Sequence, residues 1–385
     1  MKSVIPDFNT SPYFFAFCII LHQTKARVVY YMQTTSDQMK SGLEQAILNG
    51  HSFVAWRSPK SSAINMISGQ KQLISISELS SHSFVIAPFD YSGKVFSIKK
   101  SNTPEILSNP ASVAKYYTKN QGTTETKDKS TFSSLITKGI DLIKTGQLEK
   151  VVLSRKAGTP LPDSFCPVEF FKQLTHPYPN AFISLISTPE EGTWIGASPE
   201  LLVKQKEDEI ESISLAGTIS SENFFNGESI SKKDSMEQEI VSRYIREQLI
   251  ELNIPFSESE PQLINAGKIN HIKTSFKGNL NGNSVADLIN QLHPTPAICG
   301  YPKQEASHFI KQHEGYSRSL YGGFIGPYTH EKEAEFYVNL RCMQVTEEEI
   351  IFYAGAGILK DSIPQNEWEE TEFKMDTLRT LLVKS

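Results

Sequence analysis

Residues 335–353 read EFYVNLRCMQVTEEEIIFY. Apolar and polar residues alternate on both sides of a short acidic turn, and the spacing predicts two strands, 335–345 and 349–353. Downstream, residues 366–382 have helical spacing, with Trp368, Met375, Leu378 and Leu382 on one stripe and Glu370 and Lys374 flanking it. Upstream, a long amphipathic helix is expected at about 233–252, after β-rich runs at 181–187, 193–197, 201–204 and 209–215. Phe132, Leu135, Ile136, Ile140 and Ile143 predict another helix, closed by Gly146 and followed directly by a strand at 150–154. In the first third, a helix at 37–49 precedes strand-like runs at 52–56, 72–76, 83–88 and 94–98. Strands in hairpin-like pairs with helices between the groups predict an α+β protein with largely antiparallel sheet. No repeat of 20–50 residues is present, and neither glycine-rich nucleotide motif occurs.

A length of 385 residues alone suggests two or three domains. Hydrophobic residues at 39% and charged residues at 21% are enough for a sizeable core. Against 43 acidic residues stand 38 Lys and Arg, a net charge of −5, which argues against a nucleic-acid or anionic-membrane partner. The four cysteines show no CxxC pair and suit a reducing cytoplasm. The apolar run at 13–21 falls well short of the ~20 residues of a membrane span. No small-residue cleavage site follows it, so it reads as a buried strand or as sequence ahead of the true start.

Several side chains could carry chemistry. Lys150 opens the strand KVVLSR, where burial would favour its neutral form and a base role, although a lysine at a strand mouth more often reaches into water. Glu200 lies in the turn of GASPE, as a general acid or an ordinary turn residue. Glu237 has Ile240, Val241 and Tyr244 on its face of the helix and points inward, whereas Glu239 sits with Arg243 and Arg246 on a solvated face. Glu370 and Lys374 form an i,i+4 pair that suits either the surface or a cleft. LAGT (215–218), YGGFIG (321–326) and AGAG (354–357) are turns able to approach an anion, and HPTPAICG (293–300) is a rigid loop. Paired carboxylates among anion-friendly turns suit magnesium and a small oxygen-rich anion.

Nine segments in order resemble the chorismate-utilising enzyme family, and its isochorismate synthase branch most closely. They are KVVLSR, GASPELL, LAGT, KDSME, HPTPAICG, YGGFIG, NLRC, AGAG and EWEET with Lys374, spread over about residues 130–383. The resemblance implies two large antiparallel sheets packed together with helices outside, and a magnesium ion that holds the ring carboxylate of chorismate. It matches Lys150 to the base that activates water for attack at ring carbon 2, and Glu200 to the acid that protonates the departing 4-hydroxyl. Glu237 and Glu370 match the magnesium carboxylates. Gly217, Thr218, Ala297, Arg341, Gly355 and Lys374 match substrate-lining positions.

Within the family, Lys150 points to water as nucleophile, since the amine-transferring members generally lack it; no glutaminase partner is then expected. Salicylate synthases share the lysine but tend to have threonine where this chain has Ala297. The resemblance therefore favours isochorismate release, for menaquinone or siderophore synthesis, over further elimination of pyruvate. A catalytically silent binding homologue is the reading from a different class. Gln238 stands where the family usually has histidine, Ser235 where it has arginine, and Ile298 is a mild variation. Because the matched residues must meet in one cleft, residues 1–385 read as a single domain, monomeric and cytoplasmic. It would comprise a divergent N-terminal sheet region (1–119), a polar internal loop (120–130, NQGTTETKDKS) and a catalytic part (131–385).

Overall fold

The run expected as one strand at 335–345 is broken in the structure, a computed structural model that describes residues 35–99, 128–220, 230–265 and 269–382. Residues 335–338 end a strand of one sheet and Cys342 begins a strand of another, with the chain crossing between them at 339–341. Arg341 takes a left-handed backbone conformation (φ 47°), which ends any strand ladder for a non-glycine residue. The apolar run at 13–21 and most of the polar stretch at 120–130 lie outside the described residues.

Numbered in chain order, the first sheet has eight strands. They run β14 (Gly300–Tyr301), β6 (Lys150–Pro160), β18 (Glu349–Ile358), β17 (Cys342–Val345), β8 (Gly192–Ser198), β7 (Phe182–Thr188), β1 (Ser52–Arg57) and β2 (Asn65–Gly69). The second sheet has ten. Its path is β11 (Phe256–Glu258), β13 (Ile269–Asn279), β10 (Glu209–Ser220), β9 (Leu201–Lys206), β16 (Glu333–Val338), β15 (Phe324–His330), β4 (Ser83–Ala87), β5 (Lys94–Lys99) and β3 (Lys71–Ser75). Off that path, β12 (Gln262–Asn265) pairs with β13. Every pairing is antiparallel, as the hairpin-like grouping in the sequence requires.

Seven helices accompany the sheets among the described residues: α1 (Ser36–Leu48), α2 (Lys129–Lys144), α3 (Pro167–Thr175), α4 (Lys232–Glu251), α5 (Val285–Leu292), α6 (Lys303–His313) and α7 (Pro364–Leu382). Helix α2 begins inside the stretch expected to be a loop. Asp128 caps it, its Oδ1 accepting the Thr131 N–H at 2.7 Å, so residues 129–130 are already helical. Helices α3, α5 and α6 and strands β2, β11, β12, β13, β14 and β15 were not anticipated. No helix among the described residues is long and apolar enough to cross a membrane.

The two sheets meet through large side chains. Phe182 of β7, fully buried, stacks on Tyr337 of β16 with ring centroids 4.3 Å apart, and the Phe84 ring of β4 lies 6.5 Å from that of Phe182. The same cluster holds Val54, Ile86, Trp194, Ile325 and Tyr353, drawn from both sheets. On the outer face of the first sheet, Phe132, Leu135, Ile136 and Ile140 of α2 are buried, with Gly139 close against Val151 and Leu153. Phe182→Ala is expected to cost about 3–5 kcal/mol of stability, read as a lower urea midpoint.

Candidate active site

Glu200 and Arg341 sit where the chain changes sheets, and the two crossings lie side by side. One leads from β8 through Pro199 and Glu200 into β9; the other leads from β16 through residues 339–341 into β17. A crossing strand cannot continue its ladder, so its backbone groups need other partners. Here the crossings satisfy each other. The Ala197 N–H donates to the Arg341 carbonyl at 3.0 Å, and the Val338 N–H donates to the Glu200 carbonyl at 3.0 Å.

An inner cavity of about 60 Å³ opens at this junction. Its walls include Glu200, Gly217, Glu237, Ala297, Arg341, Gly355 and Lys374, seven of the ten site residues expected from the sequence. Lys150 and Glu370 stand behind the wall, each ion-paired to a lining residue. The Thr218 backbone continues β10, but its side chain lies outside what the structure describes. A second, outer cavity of about 210 Å³ shares Pro199 and Arg341 with the first, and Pro177 and Asn180 at its edge are exposed.

Burial pushes the Glu200 carboxyl up to about 7, against the pull of Lys150, Lys374 and Arg341, so it is part-protonated at neutral pH. Arg341 is lowered to about 10 by burial and stays charged; its Nη1 donates to Thr377 Oγ1 at 3.2 Å. Lys374 Nζ donates to the Gly355 carbonyl at 2.8 Å and pairs with Glu370, which places the lysine of the i,i+4 pair in the cavity wall. Lys150 is fully buried, so the solvent-seeking alternative does not hold. Its ammonium lies 3.0 Å from Glu237 Oε1, close enough for an ion pair but without hydrogen-bond alignment.

Glu237 points inward from α4 as its helical face requires, whereas Glu239 is exposed and pairs with Arg246. Gln238 turns away from the cavity. Its Nε2 donates to Ser214 Oγ at 2.7 Å and to Thr274 Oγ1 at 3.1 Å, anchoring α4 to β10 and β13. Ser235 is exposed.

A cation fits beside this wall. Glu237, Glu367 and Glu370 all raise the pKa of Lys233, whose ammonium is 2.8 Å from Glu367 Oε1. Burial pushes Glu367 itself up to about 7 despite that ammonium. An all-carboxylate donor set gathered around one positive charge suits magnesium, which takes one or two carboxylates and completes its shell with water and ligand oxygens. No group of three or more His, Cys, Asp or Glu side chains among the described residues forms a closed cage, so the protein supplies only part of such a shell.

His271 was missed. It stands on β13 in the cavity wall, and a lone histidine in an alternating strand gives no signal beyond that of a core residue. AGAG, expected as a turn, instead continues strand β18 to Ile358, and its last glycine is needed for space: a Cβ at Gly357 would collide with Glu237 Oε1 and sit 3.0 Å from Lys150 Cε.

Comparison with known proteins identifies the family and the fold. The sequence pattern of the family described as chorismate binding enzyme matches residues 80–383. This chain belongs to that family. It is 33% identical over 263 residues to the isochorismate synthase EntC of Escherichia coli (strain K12), covering 65% of this chain and 66% of that protein. It is 31% identical over 264 residues to the isochorismate synthase DhbC of Bacillus subtilis (strain 168), covering 63% and 65%. The match spans just under two thirds of the length of these curated relatives. Among solved structures, the fold is similar to a putative 2,3-dihydroxybenzoate-specific isochorismate synthase from Bacillus anthracis. The TM-score is 0.71 at 24% identity, covering 89% of this chain and 99% of that one. The menaquinone-specific isochorismate synthase of Escherichia coli gives a TM-score of 0.71 at 22% identity, covering 89% and 91%. The chorismate-binding fold, with its eight- and ten-stranded antiparallel sheets, is therefore the one expected from the sequence.

Two outcomes test the geometry. Gly357→Ala is expected to cost about 1–3 kcal/mol and to disrupt the Lys150–Glu237 pair, seen as a lower thermal midpoint. Glu200 is raised in the folded state, so its contribution is fully present below about 4.5 and lost as pH rises through about 7. Glu200→Gln removes that loss, and denaturation should find the variant about 3 kcal/mol more stable than wild type at pH 8 but not at pH 4.

Proposed function

We propose that this chain is an isochorismate synthase, a cytoplasmic, magnesium-dependent isomerase that converts chorismate to isochorismate. The observation that carries the reading is the Glu200 carboxyl: buried, part-protonated at pH 7, and on the wall of a cavity that also holds Arg341 and Lys374. An acid poised at working pH beside two cations suits a dianion that must lose a hydroxyl. The relatives' activity is consistent with it.

In this reading Lys150 reacts as its neutral amine, and a water molecule adds at ring carbon 2 after passing a proton to it. The ring double bonds shift, and the 4-hydroxyl departs with a proton from Glu200. One water enters and one leaves, so the change is an isomerisation with no redox step. Lys150 then holds the extra proton and Glu200 lacks one, and return of that proton resets the site. Glu237 Oε1, 3.0 Å from the Lys150 ammonium, is the adjacent group that can take part in that transfer. Arg341 and Lys374 bind the substrate's carboxylate and oxygen groups, with the backbone of Gly217, Thr218 and Gly355 and the methyl of Ala297 shaping the wall. Glu237 and Glu370 would hold magnesium, which when bound supplies a hard positive charge for the ring carboxylate. Water as nucleophile calls for no ammonia-supplying subunit.

Pure protein incubated with chorismate and magnesium should give isochorismate by mass spectrometry. Salicylate with pyruvate as the main products would establish a salicylate synthase instead, and no turnover would favour a silent homologue. Lys150→Gln and Glu200→Gln should each lower kcat by about 10²–10⁴-fold with unchanged circular dichroism. Because Glu200 acts protonated, kcat/KM should fall as pH rises through about 7, and EDTA should stop the reaction reversibly.

A further inference from the structure

The β10–β13 ladder slips between Ala216 and Thr218, leaving Gly217 as a bulge with no partner in register. Gly217 is left-handed (φ 71°), and a Cβ there would lie 3.0 Å from the Cβ of Asp234. The bulge takes the Gly217 carbonyl out of the ladder, where it accepts a hydrogen bond from His271 Nδ1 at 2.9 Å. The other ring nitrogen, Nε2, lies 2.8 Å from Arg341 Nη2. A guanidinium only donates, so Nε2 is the acceptor and the ring proton sits on Nδ1. Burial and the charges of Arg341 and Lys374 keep the ring neutral, down to about 3.

Both ring nitrogens are thus committed, one to a backbone carbonyl and one to a guanidinium. No lone pair or proton remains for a reacting atom. Arg341 has its Nη2 held by His271 and its Nη1 by Thr377, and among the described residues these bonds leave three of its N–H groups for an anion. We propose that His271 is a positioning residue that locks the Arg341 fork in the orientation that receives the substrate's carboxylate, and that it acts only through Arg341. The proposal rests on the reading of Arg341 as a substrate-binding group.

Steady-state kinetics with chorismate and magnesium on His271→Phe and His271→Gln, each also in an Arg341→Ala background, test it. His271→Phe should raise KM about tenfold or more with kcat within about threefold. His271→Gln, whose carbonyl can accept from the guanidinium, should recover most of that loss. In the Arg341→Ala background His271→Phe should add less than about twofold. A fall in kcat of about 100-fold at unchanged KM, or a full effect without Arg341, overturns the proposal. Imidazole ¹⁵N spectra of the wild-type protein read the tautomer without turnover: a protonated Nδ1 and bare Nε2 are expected, and the reverse overturns it. Absence of chorismate turnover by wild type would instead sink the isochorismate synthase reading, leaving the tautomer to decide this one.

Discussion

Two strands that leave one sheet for the other at the same level must satisfy each other's backbone, and the rest of the molecule is arranged around that exchange. The hydrogen bonds from Ala197 to Arg341 and from Val338 to Glu200 close both crossings. Neither crossing could sit alone, because its carbonyl and N–H would be buried without partners at a cost of about 1–3 kcal/mol each. Run together, they place the Glu200 carboxyl and the Arg341 guanidinium at the head of one cavity. The stacked rings of Phe182 and Tyr337 hold the sheets in contact beneath them.

Charge between two sheets must be compensated from within, since water is largely excluded. Lys150 meets Glu237, Lys233 meets Glu367, and Lys374 meets Glu370, so the buried Lys150 and the half-buried Lys233 and Lys374 each have a carboxylate at hand. Such pairs contribute little net stability, and removing one partner leaves the other charge uncompensated. Arg341 differs, because its hydrogen bonds go to a hydroxyl and a neutral imidazole. In a chain with a net charge of −5, the anion proposed for this site would be attracted through local geometry, not through the overall field.

Much of this was legible in the sequence. Helical spacing turned Glu237 inward and Glu239 outward, and alternation found most of the strands, because one-sided burial leaves a period that survives in the residue order. The break at 339–341 was not legible: alternation continues across it, and period alone does not say which sheet a strand joins. Lys150 also misled, since a lysine beside apolar residues is more often solvated, and only its partner on a distant helix makes full burial tolerable. His271 carried no local signal, for its role depends on a bulge one strand away and on an arginine 70 residues later. Helix α2 began early because an Asp cap outweighed the polar composition of its first residues.

The left-handed backbone at Arg341 carries a cost of about 1–2 kcal/mol that glycine would not incur. Replacement by glycine relieves the strain and removes a buried charge, yet it deletes the cation that faces both cavities. If Arg341 binds the substrate as proposed, selection for stability and selection for turnover pull this position in opposite directions. A library screened only for thermal tolerance would then have no reason to keep an arginine at residue 341.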